Sequence, residues 1–128
     1  MDKFLLDTHT LLWWHENDSQ LSTQVKEIIL NPSNRIEVSI ISFWEIVIKQ
    51  TVGKLKLKYS IEELIENCIK NNFRIITMHF LHLNQLSVLP LIHRDPFDRY
   101  LIATAMCENL QLLSKDKHFS EYHITVFW

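Results

Sequence analysis

The sequence predicts an α/β domain with a mainly parallel central sheet of about five strands. Short apolar or β-branched runs typical of buried strands recur along the chain, and segments with helical spacing stand between them. That alternation favours crossover connections between parallel strands. With 128 residues, 47% hydrophobic and 22% charged, the chain fits one domain, residues 1–128. The predicted strands are residues 4–6, 36–41, 73–78, 111–114 and 124–128.

Helices are predicted between these strands. The clearest pattern lies in residues 61–69, where apolar side chains trace one face. One helix begins near Ser42 and ends at Gly53, the only glycine. Another begins with Asp95 as its N-cap and Pro96 at its first position, which gives Asp95 a structural role instead of a metal-binding one. The remaining predicted helices are residues 21–30 and 79–89.

Four acidic residues stand close to the ends of predicted strands. Asp7 closes the first strand, Glu45 lies four residues past the second, and Asp116 lies two residues past the fourth. Asp98 lies in the first turn of the helix that precedes the fourth strand. Ligands of parallel sheets bind beyond the carboxyl ends of the strands, so we expect all four acids in one crevice.

Grouped carboxylates repel one another and need a counter-charge, and oxygen ligands suit Mg²⁺ or Mn²⁺. One or two such ions would polarise a phosphoryl group and activate water, which favours phosphodiester hydrolysis. We expect Asp7 and Asp98 to bind metal directly, and Glu45 and Asp116 to complete the shell or orient the attacking water. The sequence therefore predicts a metal-dependent nuclease.

Each acid also has a structural interpretation that the sequence leaves open. Asp7 would cap the turn after its strand, and Asp116 would be a turn residue. Glu45 would complete a capping box with Ser42. Asp98, at the third helical position, would favour the helix dipole. The case for a site therefore rests on the shared position of the four acids.

The net charge of −2 does not by itself indicate a nucleic-acid-binding protein. Three lysines, Lys54, Lys56 and Lys58, alternate with leucines, which in an extended segment places them on one side. They would contact RNA phosphates, or alternatively guard an edge strand. The other predicted cationic residues flank the third and fourth acids and would steer RNA towards the site: Arg94, Arg99, Lys115 and Lys117.

Four blocks carry the acids: LLDTHTLLW at 5–13, SFWEI at 42–46, HRDPFDR at 93–99 and SKD at 114–116. Together these blocks resemble the PIN domain family, and within it the VapC-type toxins of bacterial toxin–antitoxin pairs. Gly53-Lys54-Leu55 also fits the pattern that follows the second block. The resemblance extends over nearly the whole chain, and its third block is the most specific.

The resemblance implies a three-layer α/β/α fold and Mg²⁺- or Mn²⁺-dependent cleavage of RNA. It identifies the acidic site as Asp7, Glu45, Asp98 and Asp116. It also implies supporting hydroxyls beside the first and fourth acids, supplied by Thr8 and Ser114. The implied partners are an RNA substrate, a cognate antitoxin and a second copy in a homodimer.

Two other functions compete with this one. A phosphatase of the haloacid dehalogenase type would carry a second aspartate two positions after Asp7, where this chain has His9. A catalytically silent PIN-like module that binds protein or RNA would usually have lost part of the acid set, which is complete here. A zinc site at His79 and His82 is disfavoured because no third ligand lies near them in sequence.

Cys68 and Cys107 lie in apolar helical segments and are expected to be buried thiols, as in a cytoplasmic protein. The apolar run at residues 4–6 is shorter than the core of a signal peptide, and no stretch is long enough to span a bilayer. Trp13 and Trp14 are expected to pack in the core. Alternatively, and as the resemblance favours, they would form a dimer or antitoxin surface.

Overall fold

A computed structural model describes residues 1–128 as six α-helices, one 3₁₀ helix and one five-stranded sheet. The strands are β1 (Lys3–Leu6), β2 (Arg35–Ser39), β3 (Arg74–Ile76), β4 (Gln111–Leu113) and β5 (Val126–Phe127). The α-helices are α1 (Thr8–Glu16), α2 (Thr23–Leu30), α3 (Ile40–Thr51), α4 (Ile61–Lys70), α5 (Phe80–Ser87) and α6 (Pro96–Glu108). The 3₁₀ helix is Lys117–Glu121.

The sheet has the order β3-β2-β1-β4-β5, and all of its strands are parallel. β1 lies at the centre. From it the chain adds β2 and β3 on one side, and β4 and β5 on the other. The order therefore reverses between β1 and β4, which is where parallel sheets open a crevice beyond the strand ends.

Helices cover both faces of the sheet, as the side-chain alternation of β1 shows. Phe4 and Leu6 point into a core cluster that includes buried residues of α1, α2, α3 and α4. Leu5 points into a second cluster, which is built largely from α6 and β4. The predicted α/β fold with three layers is thus confirmed. None of the helices has the length and apolar character that a membrane crossing requires.

Two element predictions were wrong around the first two strands. Helix α1 was not predicted because its pattern is not amphipathic: Thr8 and Thr10 are buried, and the Thr10 hydroxyl donates to the Leu113 carbonyl at 2.9 Å. The predicted strand 36–41 ends early, because the Ser39 hydroxyl caps α3 by accepting the Ile41 N–H at 3.1 Å. A β-branched run is thereby divided between a strand and a helix.

Single residues also depart from expectation. Cys68 is buried as predicted, whereas Cys107, near the end of α6, is exposed. Trp14 packs against Phe73, with ring centroids 4.4 Å apart, at the edge of the first core cluster. Trp13 belongs to neither cluster. The two adjacent tryptophans therefore have different environments.

Candidate active site

Asp7 follows β1 and caps α1, so its structural interpretation holds. Its Oδ1 accepts the Thr10 N–H at 2.8 Å, and its Oδ2 accepts the Ser114 hydroxyl at 2.5 Å. The side chain is buried, and burial raises the pKa of Asp7 above its usual value. Ser114 neighbours the fourth acid in sequence, yet its hydroxyl holds the first acid in a fixed orientation.

Glu45 lies in the second turn of α3 and is buried. Its Oε1 accepts the Thr8 hydroxyl at 2.6 Å, and its Oε2 pairs with Lys49 Nζ at 2.5 Å. The predicted capping box with Ser42 is wrong, because α3 has already begun at Ile40. Ser42 is instead buried inside the helix, with its Oγ 3.1 Å from Thr8 Oγ1.

Asp98 occupies the third position of α6, and Asp95 is the N-cap as predicted. Asp95 Oδ1 accepts the N–H groups of Phe97 and Asp98 at 2.9 and 3.0 Å. The pKa of Asp98 is raised to about 8, first by burial and then by the negative charges of the surrounding acids. Those acids are Asp95, Glu45, Asp7 and Asp116. The four predicted site acids therefore lie close enough to repel one another.

Asp116 follows β4 and caps the 3₁₀ helix, so it is also the turn residue that the sequence suggested. Burial alone would raise the pKa of Asp116. The His118 N–H, at 2.9 Å from Oδ1, and the nearby His93 lower this pKa below its usual value. Asp116 thus carries its charge more readily than Asp7 or Asp98.

His93 joins the third and fourth acids, a role that the sequence did not predict. Its Nε2 lies 3.2 Å from Asp98 Oδ2 and 3.3 Å from Asp116 Oδ2. Its Nδ1 accepts the backbone N–H of Asp95 at 3.2 Å, so the ring proton resides on Nε2, which hydrogen-bonds Asp116 Oδ2. These three side chains form a compact group of potential metal ligands. In this tautomer, however, His93 donates hydrogen bonds and the carboxylates remain the ligands.

Lys49 is a second residue of the site that sequence reasoning missed. Burial alone would lower its pKa, but the hydrogen bond and charge of Glu45, together with Asp95 and Asp98, raise it. The ammonium group therefore stays charged at the edge of the acids. Its spacing of four residues from Glu45 on α3 was the available signal.

The predicted cationic contacts separate into two kinds. Lys54, Lys56 and Lys58 are exposed, as the alternation predicted, but their segment does not join the sheet. Arg94 is exposed beside the third block. The Arg99 guanidinium already donates to the carbonyls of the preceding loop, at Leu89, Pro90 and His93. Arg99 therefore holds that loop in place.

The donor set suits a hard divalent cation. Four carboxylates converge, three with hydroxyl or imidazole partners that fix their orientation, and positively charged side chains do not balance them. Burial raises the pKa of Asp98, and the negative charges of the neighbouring acids raise it further. Oxygen ligands with uncompensated charge fit Mg²⁺ or Mn²⁺.

The sequence matches the model of the PIN domain over residues 4–124. No curated protein matches the sequence as a relative.

Solved structures share the fold over nearly the whole chain. DNA-bound VapBC from Salmonella typhimurium matches with a TM-score of 0.71 at 18% identity, covering 99% of this chain and 98% of the matched chain. VapBC2 from Rickettsia felis, bound to a promoter DNA fragment, matches with a TM-score of 0.69 at 16% identity, covering 98% and 97%. A toxin–antitoxin complex from Klebsiella pneumoniae matches with a TM-score of 0.65 at 20% identity, covering 97% and 95%.

Proposed function

The chain belongs to the PIN domain family, and we propose that it is a metal-dependent endoribonuclease, the toxin of a type II toxin–antitoxin pair of the VapBC kind. The observation that carries this proposal is the convergence of Asp7, Glu45, Asp98 and Asp116, with the pKa of Asp98 raised first by burial and then by its acidic neighbours. Such a group is costly to maintain without a cation, because like charges destabilise a fold.

The toxin role is supported by the structural neighbours, which are VapBC and toxin–antitoxin complexes. We extend that role to this chain, together with a cognate antitoxin as partner, a homodimeric assembly and a cytoplasmic site of action. An exposed apolar surface on α3 and α5 is compatible with such contacts. Its most exposed members are Trp44, Phe80, Leu81 and Val88.

In the proposed mechanism Asp7, Asp98 and Asp116 would hold the metal, and His93 orients Asp116 through its Nε2 proton while lying 3.2 Å from Asp98. When bound, Mg²⁺ or Mn²⁺ polarises the phosphodiester and lowers the pKa of water. The Glu45 carboxylate, held by Thr8, accepts a hydrogen bond from the attacking water and orients it. Lys49 offsets the charge that develops on the phosphoryl oxygens.

A growth assay tests the proposal. Induced expression of the chain should arrest bacterial growth, and Asp7→Asn should abolish the arrest. Asparagine caps a helix about as well as aspartate, so this variant should keep the fold, which circular dichroism checks. Glu27→Gln, at an exposed acid on α2, is the matched control and should remain toxic. If the Asp7→Asn chain arrests growth as strongly as the parent chain, the proposal is wrong.

A further inference from the structure

A cleft opens directly beside the acidic site. It has a volume of about 310 Å³ and is lined by Asp7, His9, Trp13, Lys115 and Asp116. Two of its lining side chains are thus site acids, and the other three are aromatic or cationic. His9 and Lys115 are exposed, and Trp13 is half-buried. An aromatic surface and a positive charge therefore stand next to the place where a phosphodiester would be cleaved.

The geometry around Trp13 forms a small aromatic platform. Its ring centroid lies 5.6 Å from that of His9, with the planes inclined by 35°. Trp128 contacts it in an edge-on arrangement, also at 5.6 Å. Lys115 Nζ lies 5.8 Å from the centre of the Trp13 ring. The indole is therefore fixed by its neighbours before any ligand arrives.

Core packing does not explain Trp13. Its neighbour Trp14 packs against the first core cluster, and so does Trp128, whereas Trp13 belongs to neither cluster. A large aromatic side chain that is half-exposed at the edge of an acidic site adds little to the core. Its contacts with Lys115 and His9 are those of a binding surface.

A second cleft of about 320 Å³ continues from the first and shares Lys115 and Asp116 with it. Lys117 and Trp128 line its further part. Two tryptophans and two lysines thus line the two adjoining clefts beside the acids. Proteins that bind single-stranded nucleic acid combine cations for the backbone with aromatic rings for the bases in this way.

We infer that Trp13, with His9 and Lys115, binds an unstacked nucleobase adjacent to the cleaved phosphodiester. This inference rests on the proposed ribonuclease function and gives it a substrate class, RNA whose bases are free to leave the stack, as in loops and single strands. The base would stack on the Trp13 ring, and Lys115 would contact the neighbouring phosphate. Bases inside a paired helix cannot reach the ring.

The test measures binding of fluorescently labelled oligouridine in EDTA, where hydrolysis is expected to stop. Copies of the same strand carry a single abasic residue at successive positions. For the parent chain, one abasic position should weaken binding on the order of 10-fold, the effect of losing one stacked base. Trp13→Ala should bind the intact strand as weakly as the parent chain binds that abasic strand. It should also no longer distinguish the two strands.

Two further variants separate stacking from folding. Trp13→Phe keeps a ring and should restore most of the discrimination, whereas Trp13→Ala should melt close to the parent temperature. Trp44→Ala, at a more exposed tryptophan on α3, should leave the dependence of binding affinity on the abasic position unchanged. The inference is wrong if the RNA affinity of Trp13→Ala depends on the abasic position as it does for the parent chain. It is also wrong if Trp13→Ala weakens binding of a protein partner while that dependence stays intact. Failure of the ribonuclease function would appear separately, as a parent chain that cleaves no RNA when metal is supplied.

Discussion

Asp98 is the residue whose chemistry depends most on its neighbours. Its Oδ2 lies 3.2 Å from His93 Nε2, and the carboxyl is surrounded by four other acids. The pKa of about 8 means that, without metal, this side chain keeps its proton at neutral pH. Binding of a cation must displace that proton, so we expect metal affinity to rise with pH up to about this value.

The raised pKa of Asp98 also predicts how the stability of the folded protein depends on pH. The folded protein binds the Asp98 proton more tightly than the unfolded chain, whose aspartate has the ordinary pKa of 3.8. The stabilisation from this proton is therefore complete below about pH 4 and is lost as the pH rises through about 8.

Asp98→Asn removes that loss. In EDTA the variant should gain stability relative to the parent chain as the pH rises from 5 to 8, by up to about 4 kcal/mol, because the parent loses about 1.4 kcal/mol for each pH unit over which only its folded state holds the proton. Thermal melts at several pH values measure the gain, and added Mn²⁺ should reverse it because only the parent chain binds the ion well. A difference between the two proteins that stays constant with pH would contradict the assignment of this pKa.

At the scale of elements, the loop between α5 and α6 presents His93 to the acids. The Tyr122 hydroxyl accepts the N–H groups of Ile92 and His93 at 3.2 and 2.8 Å, and it donates to the Pro90 carbonyl at 2.9 Å. Arg99 binds carbonyls of the same loop. This loop, which has little regular structure, is thereby held in place by hydrogen bonds to two side chains, Tyr122 and Arg99.

Tyr122→Phe should release this loop. The partly buried His93 N–H would lose its acceptor, which costs about 1–3 kcal/mol of stability, whereas the Ile92 N–H keeps its bond to the Pro90 carbonyl. His93 would then hold Asp98 and Asp116 less firmly, so we also expect weaker Mn²⁺ binding. Tyr59→Phe, which removes a hydroxyl bonded to Glu16 on the surface, is the control. Equal melting temperatures and Mn²⁺ affinities for the two variants would show that the Tyr122 hydroxyl is not needed to hold the loop.

Across the whole molecule, the positive charges are arranged around an acidic centre. Lys56 and Lys58 line a cleft with His15 and Glu16 at the far end of α1 from Asp7. Nine helical residues separate these points by about 13 Å. Lys115 and Lys117 lie beside the acids. Although the net charge is −2, the chain thus offers one pair of lysines beside the acidic site and another pair farther from it.

The acids could be predicted because strand ends in a parallel sheet meet at one edge, so Asp7 and Asp116 were placed by their positions directly after predicted strands. The sequence predicted the Asp95 cap because that signal is local. It did not predict Ser39 as the cap of α3, because Ser42 satisfied the same local pattern and only packing chose between them. His93 was missed because its role depends on a loop path that no spacing rule specifies. Lys49 was missed because its four-residue spacing from Glu45 indicates a pair but not that the pair faces the other acids.

The most direct test of the central claim follows RNA cleavage and Mn²⁺ binding on one preparation of the purified chain. We predict that cleavage is absent in EDTA, appears on addition of Mn²⁺ or Mg²⁺, and saturates over the same Mn²⁺ range as binding measured by calorimetry. Asp98→Asn should lose both signals, and Glu27→Gln should keep both. Cleavage that persists in EDTA, or an Asp98→Asn chain that binds Mn²⁺ and cleaves RNA like the parent, would contradict the account.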